Sequence, residues 1–447
     1  SDFRNKCCTC RAWVAGVAGS DNFTAFRLAG RGCRQAGRVQ EWRRRVSARM
    51  KPKILTTLQT YSVPLFLADL FAGVTVALVA IPLSLAIAIA SGANPAAGLV
   101  TAIIAGFLIS ALGGSRVQIG GPTGAFIVVV FGVIAAHGYD GLVLATFMAG
   151  IILVLAGLMR AGNLISFVPE AVVNGFTIGI AIIIAASQVR DLFGLQVAHL
   201  PAEFVGKVEA LWAARSSVNW AALGIGAATM TLIAGLRRIA PRFPGLIVAV
   251  GLTSAAVALL DLPVETIGSR FGALPSQLPA PRLPGLSLDR IVELLPSAFV
   301  IAFLAGVESL LSAMVADRMT GGQYRRNAEV MAQGAANIGS ALFGGLPATG
   351  AIARTATNVR AGGKTPIAGI VHAFTILLAV LFAAPLAGYL AMPALAGLLM
   401  LTAWNMSEPH KWRGYLSEEA ANVVLLLITL VLTVVADLTI AIGVGVS

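Results

Sequence analysis

The sequence predicts an all-α polytopic membrane protein of fourteen transmembrane segments, laid out as two inverted repeats of seven. Three observations carry the prediction. Of 447 residues, 57% are hydrophobic and 12% charged, with a mean hydropathy of +0.85, whereas soluble domains carry about 25% charged residues. Apolar runs recur that are long enough to span a bilayer as helices. The same kind of interruption occurs twice, as Gly-Gly-Pro-Thr-Gly-Ala-Phe at 120–126 and as Gly-Gly-Leu-Pro-Ala-Thr-Gly-Ala at 344–351. The alternating pattern of a membrane β-barrel does not occur.

Residues 1–53 are expected to be a disordered or mis-assigned basic leader. They hold all four cysteines, Cys7, Cys8, Cys10 and Cys33, but Cys-Cys-Thr-Cys lacks the paired spacing of a zinc site. They also lack the central apolar stretch of a cleavable signal peptide, and Met50-Lys51-Pro52-Lys53 reads as a natural start. The net charge of +12 is concentrated in this leader and in short loops. No basic domain interleaved with aromatic residues exists, so no nucleic-acid partner is expected.

The segments fall at 66–92, 94–112, 122–137, 140–160, 164–187, 217–237 and 244–262, then at 291–317, 330–345, 351–361, 365–384, 388–404, 418–432 and 434–447. Alternate loops carry Arg116; Arg160; Arg237, Arg238 and Arg242; Arg318, Arg325 and Arg326; Arg360 and Lys364; Lys411 and Arg413. Cytoplasmic loops are enriched in Lys and Arg, which puts both termini in the cytoplasm of a cell whose plasma (inner) membrane the chain crosses. The chain then divides into a first repeat at 54–262, an extracellular linker at 263–290 and a second repeat at 291–447. Seven is odd, so the second repeat enters inverted. The last segment ends at Ser447 with no polar tail, which reads as truncation.

The broken segment is third in each repeat. Matching Gly/Pro interruptions in corresponding positions point to a transporter's binding site; the bland reading is close helix packing at small residues. A helix that starts inside the membrane exposes unpaired N–H groups and a partial positive charge. Two such starts facing each other form an anion site. Thr123, Gly124 and Ala125 lie at the first, and Gly350, Ala351, Ile352, Ala353 and Arg354 at the second. Arg354, near a helix N-terminus, opposes the dipole unless an anion compensates, so it adds positive potential there. Leu83, Ser84 and Ile87, which follow Pro82, are candidates for the cavity wall.

Glu308 lies deep in the eighth segment, with Ser312 one turn on, on the same face. An intramembrane carboxylate marks a proton relay, and with a hydroxyl it could instead hold Na⁺; a packing hydrogen bond is the bland alternative. Asp69 and Asp317 read as interfacial, and His372 as packed between helices. No nucleophile–base pair, metal cluster or Walker loop occurs, so neither an enzyme nor ATP-driven transport is expected. H⁺ or Na⁺ is the coupling ion and no other cofactor is implied.

The chain resembles the sulfate permease (SulP) family. The matching stretches are Asp-Leu-Phe-Ala-Gly-Val-Thr-Val-Ala-Leu-Val-Ala-Ile-Pro (69–82), Gly-Gly-Pro-Thr-Gly-Ala (120–125), Val-Pro-Glu-Ala-Val-Val-Asn-Gly-Phe-Thr-Ile-Gly (168–179), Glu-Ser-Leu-Leu-Ser-Ala (308–313), Asn-Ile-Gly-Ser-Ala-Leu-Phe-Gly-Gly-Leu-Pro (337–347) and Arg-Thr-Ala-Thr-Asn-Val-Arg-Ala-Gly-Gly-Lys-Thr (354–365). The resemblance implies a uracil-permease-like fold, with segments 1–4 and 8–11 as core and 5–7 and 12–14 as gate. It implies an elevator-like transport of sulfate, bicarbonate, chloride or dicarboxylates, with Glu308 at the coupling position. Glu rather than Asp there, and Ile352 where a hydroxyl is expected, lean toward H⁺ over Na⁺; a sodium-coupled bicarbonate symporter, a channel and an exchanger are the alternatives. Ile87 stands where many members are aromatic. Members usually carry a cytoplasmic STAS domain after the last segment, absent from this chain, and dimerise commonly through it, which bears on a homodimer here.

Overall fold

The computed structural model describes residues 51–160, 162, 170–197, 200–201, 203–240, 244–417 and 419–435. The leader to residue 50, the fourteenth segment beyond 435 and Arg242 lie outside the described residues.

Helices follow one another with short connections. After α1 (Lys53–Thr57) comes α2 (Val63–Ala90), with Pro64 in its first turn and Pro82 inside it. In α3 (Pro95–Leu112), the Asn94 side chain accepts from Ala96 N at 2.9 Å and Pro95 opens the helix, where a missing N–H costs nothing. The two-residue strand β1 (Gly120–Gly121) precedes α4 (Phe126–Leu158). Next come α5 (Glu170–Leu192), α6 (Phe204–Ala213), α7 (Trp220–Ile239), α8 (Gly245–Leu259) and α9 (Ile267–Phe271). The second half runs through α10 (Leu288–Thr320), α11 (Arg326–Leu342), β2 (Thr349–Gly350), α12 (Ile352–Arg360), α13 (Ile367–Ala387), α14 (Met392–Met406), α15 (Trp412–Leu416) and α16 (Ala420–Val435).

Among the described residues, seven helices are long and apolar enough to cross a membrane: α2, α3, α4, α5, α7, α10 and α13. The expected third and fourth segments are the two parts of α4, separated at Gly138, whose φ of 72° and ψ of 179° are not helical. α12 has only 9 residues; at about 1.5 Å per residue it reaches less than half of a hydrocarbon core of about 30 Å. The tenth segment is therefore a half-helix.

Side-chain packing sorts the described helices. α4 packs on α10 and α11, and α13 on α2 and α3, while α5 packs on α14 and α16, and α7 on α8 and α14. Lipid supplies no hydrophobic drive for such contacts, so close backbone approach at small residues carries much of the packing. The α4–α11 crossing shows it: a Cβ on Gly334 would lie 2.6 Å from Gly150 O and 2.6 Å from Val154 N. Both neighbours are backbone and cannot swing away.

Gly334→Ala is therefore expected to destabilise the protein by about 1–3 kcal/mol. Gly224→Ala, on the exposed face of α7 with nothing within 4 Å of its Cβ position, is expected to be neutral or stabilising. Thermal unfolding of both variants in detergent checks the pair; equal midpoints would contradict the assigned crossing.

Candidate functional site

The two interruptions meet. β1 and β2 pair antiparallel, Gly120 opposite Gly350 and Gly121 opposite Thr349. Ala351 N extends the pairing to Ile119 O at 2.9 Å. Glycine is required on both sides. Gly121 has φ 148°, and a Cβ there would lie 2.3 Å from Arg354 Nη1; a Cβ on Gly350 would lie 1.5 Å from Gln118 Nε2.

Buried side chains satisfy the rest of the broken backbone. Ile119 N donates to Thr355 Oγ1 (3.1 Å), Asn358 Nδ2 to Val117 O (2.8 Å) and Gln118 Nε2 to Ser309 O (3.1 Å). Thr349 Oγ1 donates to Ala305 O at 2.9 Å. Asn337 holds both groups of Ala348, donating to its carbonyl at 2.8 Å and accepting from its N–H at 2.9 Å. Each bond removes a polar group that hydrocarbon could not satisfy.

Two helices begin beside this pair. α4 is preceded by Thr123-Gly124-Ala125, and α12 starts at Ile352 immediately after Ala351. Neither start is capped by a side chain; at α4, Phe126 N and Ile127 N donate to the carbonyls of Thr123 (3.2 Å) and Gly124 (3.0 Å) in the break itself. Gly124 and Ala125 are buried, as are Gly350 and Ala351; Thr123 is half-buried, and Ile352 and Ala353 are exposed.

Arg354 crosses from the second break to the first. It is 2% exposed. Its Nη2 donates to Pro122 O at 2.6 Å and lies 3.4 Å from Ser84 Oγ, while Nε and Nη1 have no partner. Glu308, half-buried on α10, accepts from Thr123 Oγ1 through Oε2 at 2.9 Å. The carboxylate is thereby bonded to the first break itself.

Ser84, Thr123, Glu308 and Arg354 are thus drawn into one network of contacts with the paired breaks. Leu83 is half-buried on the same helix as Ser84. Ile87 is 2% exposed and lies in the apolar core. Ser312 is fully buried with its hydroxyl 3.2 Å from Thr355 Oγ1, the group that receives Ile119 N.

Two carboxylates outside this network are held by backbone N–H groups. Asp69, in the second turn of α2, is fully buried within the protein. Its Oδ1 accepts from Lys364 N (2.8 Å) and Thr365 N (3.1 Å), and its Oδ2 from Tyr61 Oη (3.1 Å) and from Thr365 Oγ1. The loop between α12 and α13 folds over it. Glu329, which the sequence reading missed, accepts from Gly114 N (2.8 Å), Ser115 N (3.0 Å) and Gln333 Nε2 (2.9 Å). Glu329, Gln333, Asn337 and Ser340 are all fully buried along one face of α11; their helical spacing was the available signal.

The chain is similar to known proteins over most of its length. Residues 66–429 match the model of the Sulfate permease family. YvdB of Bacillus subtilis (strain 168) is 43% identical over 387 residues, covering 86% of this chain and 73% of YvdB. The bicarbonate transporter BicA of Synechocystis sp. (strain ATCC 27184 / PCC 6803 / Kazusa) is 33% identical over 394 residues, covering 85% of this chain and 68% of BicA. The solved transmembrane domain of a cyanobacterium BicA superposes with a TM-score of 0.77 at 31% identity, covering 86% of this chain and 99% of that domain. The matched span includes both breaks, Arg354 and Glu308: the chain belongs to the sulfate permease family.

Proposed function

We propose that the chain is a secondary active transporter of a small inorganic or organic anion, sulfate, bicarbonate or a dicarboxylate, coupled to protons and working by elevator-like alternating access. The observation that carries the anion assignment is Arg354. A guanidinium 2% exposed, with Nε and Nη1 unpartnered, sits beside two uncapped helix starts. All three supply positive potential to the same place, and a buried cation without a counter-charge is costly in a membrane. The anion fits against Thr123, Gly124 and Ala125 on one side and Gly350, Ala351, Ile352, Ala353 and Arg354 on the other, with Leu83 and Ser84 on the wall. Ile87 supports that wall from behind.

Coupling is assigned to Glu308 because Thr123 bonds it directly. A carboxylate can only accept from that hydroxyl; a carboxylic acid can also donate. Proton uptake at Glu308 therefore alters the hydrogen bonding of the first break, and the two ligands can favour the same moving state. Ser312 acts through Thr355 on the backbone of the first break. The helices α2–α4 and α10–α13 serve as the moving core, and α5, α7, α8, α14 and α16 as the gate. Family membership supports this, as does the sorting of the helix contacts. Both termini lie in the cytoplasm, on the side of the Arg- and Lys-bearing loops, with the inner membrane as the site of action.

Reconstituted uptake of labelled sulfate and bicarbonate tests the reading. A pH gradient, acid outside, is expected to drive accumulation, and Glu308→Gln to abolish the gradient-driven component while leaving anion exchange. Drive by a Na⁺ gradient instead would identify a sodium-coupled symporter, and drive by neither a channel or exchanger. Arg354→Ala is expected to weaken anion affinity at least about tenfold, the scale of one lost charge-assisted contact. An unchanged KM would remove Arg354 from the site. Arg354→Lys keeps the charge without the planar fork and should recover only part of the affinity.

A further inference from the structure

Lys207 is the anomaly that the central site leaves unused. It lies on α6, in the connection that follows α5, and is 3% exposed. Lysine is almost never buried without a carboxylate. Lys207 has none among the described residues: its Nζ donates to Ser187 Oγ at 2.9 Å and sits 5.3 Å from the centre of the Phe131 ring. Glu203, one turn earlier on the chain, gives Lys207 N its backbone carbonyl and forms no ion pair with the ammonium. Burial lowers the pKa of the ammonium from the ordinary lysine value, with no charged neighbour to offset it. A cation over an aromatic face with one hydroxyl acceptor is held, but not neutralised.

The three groups come from elements on either side of the central site. Phe131 is on α4, about 7.5 Å along the helix from its start at Phe126. Ser187 is on α5, one turn beyond Ile184, whose Cδ1 lies 3.5 Å from the Cβ position of Gly124. Only alanines separate Ile184 from Ser187 along α5, and Lys207 bonds that serine. α6 itself follows the end of α5 remote from the basic loops, which is the outer face in the proposed orientation.

We propose that Lys207 is an outer docking group for the transported anion. Its ammonium receives the anion above the central site and, in the arrangement seen here, rests on Ser187 and the Phe131 ring in the anion's place. An anion arriving from outside supplies the missing counter-charge, and the weak partners give it up readily. This inference rests on the paired breaks being the central anion site.

The test uses the full chain, with labelled sulfate and bicarbonate as probes, and entry from the outer face. Lys207→Met keeps the apolar stem and removes the charge. It is expected to raise KM about tenfold with kcat within about twofold, the pattern of a lost binding contact. Lys207→Arg, which keeps the charge, is expected to stay within about threefold of the parent KM. A Lys207→Met KM equal to the parent's, or a Lys207→Arg as impaired as Lys207→Met, overturns the inference and leaves the central site standing. A parent chain that carries neither these ions nor a dicarboxylate overturns the central site and this inference together. Should Lys207→Met fail to accumulate, labelling of the unaltered protein by an amine-specific reagent decides. Saturating sulfate or bicarbonate is expected to protect Lys207 severalfold relative to gluconate, and equal labelling overturns the inference.

Discussion

Two helices can break inside one bilayer here because each break satisfies the other. Hydrocarbon offers no hydrogen bonds, so a broken backbone is tolerated only where protein surrounds it. The pairing of Gly120 with Gly350 and Gly121 with Thr349 turns two defects into one small sheet. The buried polar side chains Gln118, Asn337, Thr349, Thr355 and Asn358 then complete it. Beside the sheet, Nε and Nη1 of Arg354 stay without a partner, as do Gln118 Oε1 and Asn358 Oδ1.

Arg354 has two duties that one residue rarely combines. Its Nη2 fastens the second break to the carbonyl of Pro122 in the first, so it is part of the frame. Its Nε and Nη1 are left over, so it is also part of the proposed site. Gly121 makes this possible, since any side chain there would occupy the place of Nη1. The glycine and the arginine are one feature split between distant parts of the sequence.

The features that stood out in the sequence were those that violate the rules of an apolar helix. Glycine with proline at 120–126 and 344–351, an arginine at 354 and a glutamate at 308 are conspicuous in such runs, and all lie at the site or bonded to it. The pairing of the breaks was less visible, because strands of two residues have no periodicity. The burial of Asp69 was not legible because nothing near it in sequence shows that residues 364 and 365 fold over it. The stripe on α11 was hidden by small residues between its polar ones. The short α12 was legible as a segment that starts inside the membrane, whereas α4 runs through two expected segments with only Gly138 between them. Lys207 offered no signal at all, since a lysine in a loop helix is ordinarily solvated.

The pairing also sets an order of assembly in time. β1 leaves the ribosome roughly 230 residues before β2, an interval of roughly ten to forty-five seconds at ordinary elongation rates. For that interval the first break has no strand to pair with, and its Gln118 has no Ser309 carbonyl to bond. The first half of the chain must therefore wait in or beside the insertion machinery, or with water at its break. Maturation is complete only when the second half arrives and the sheet closes.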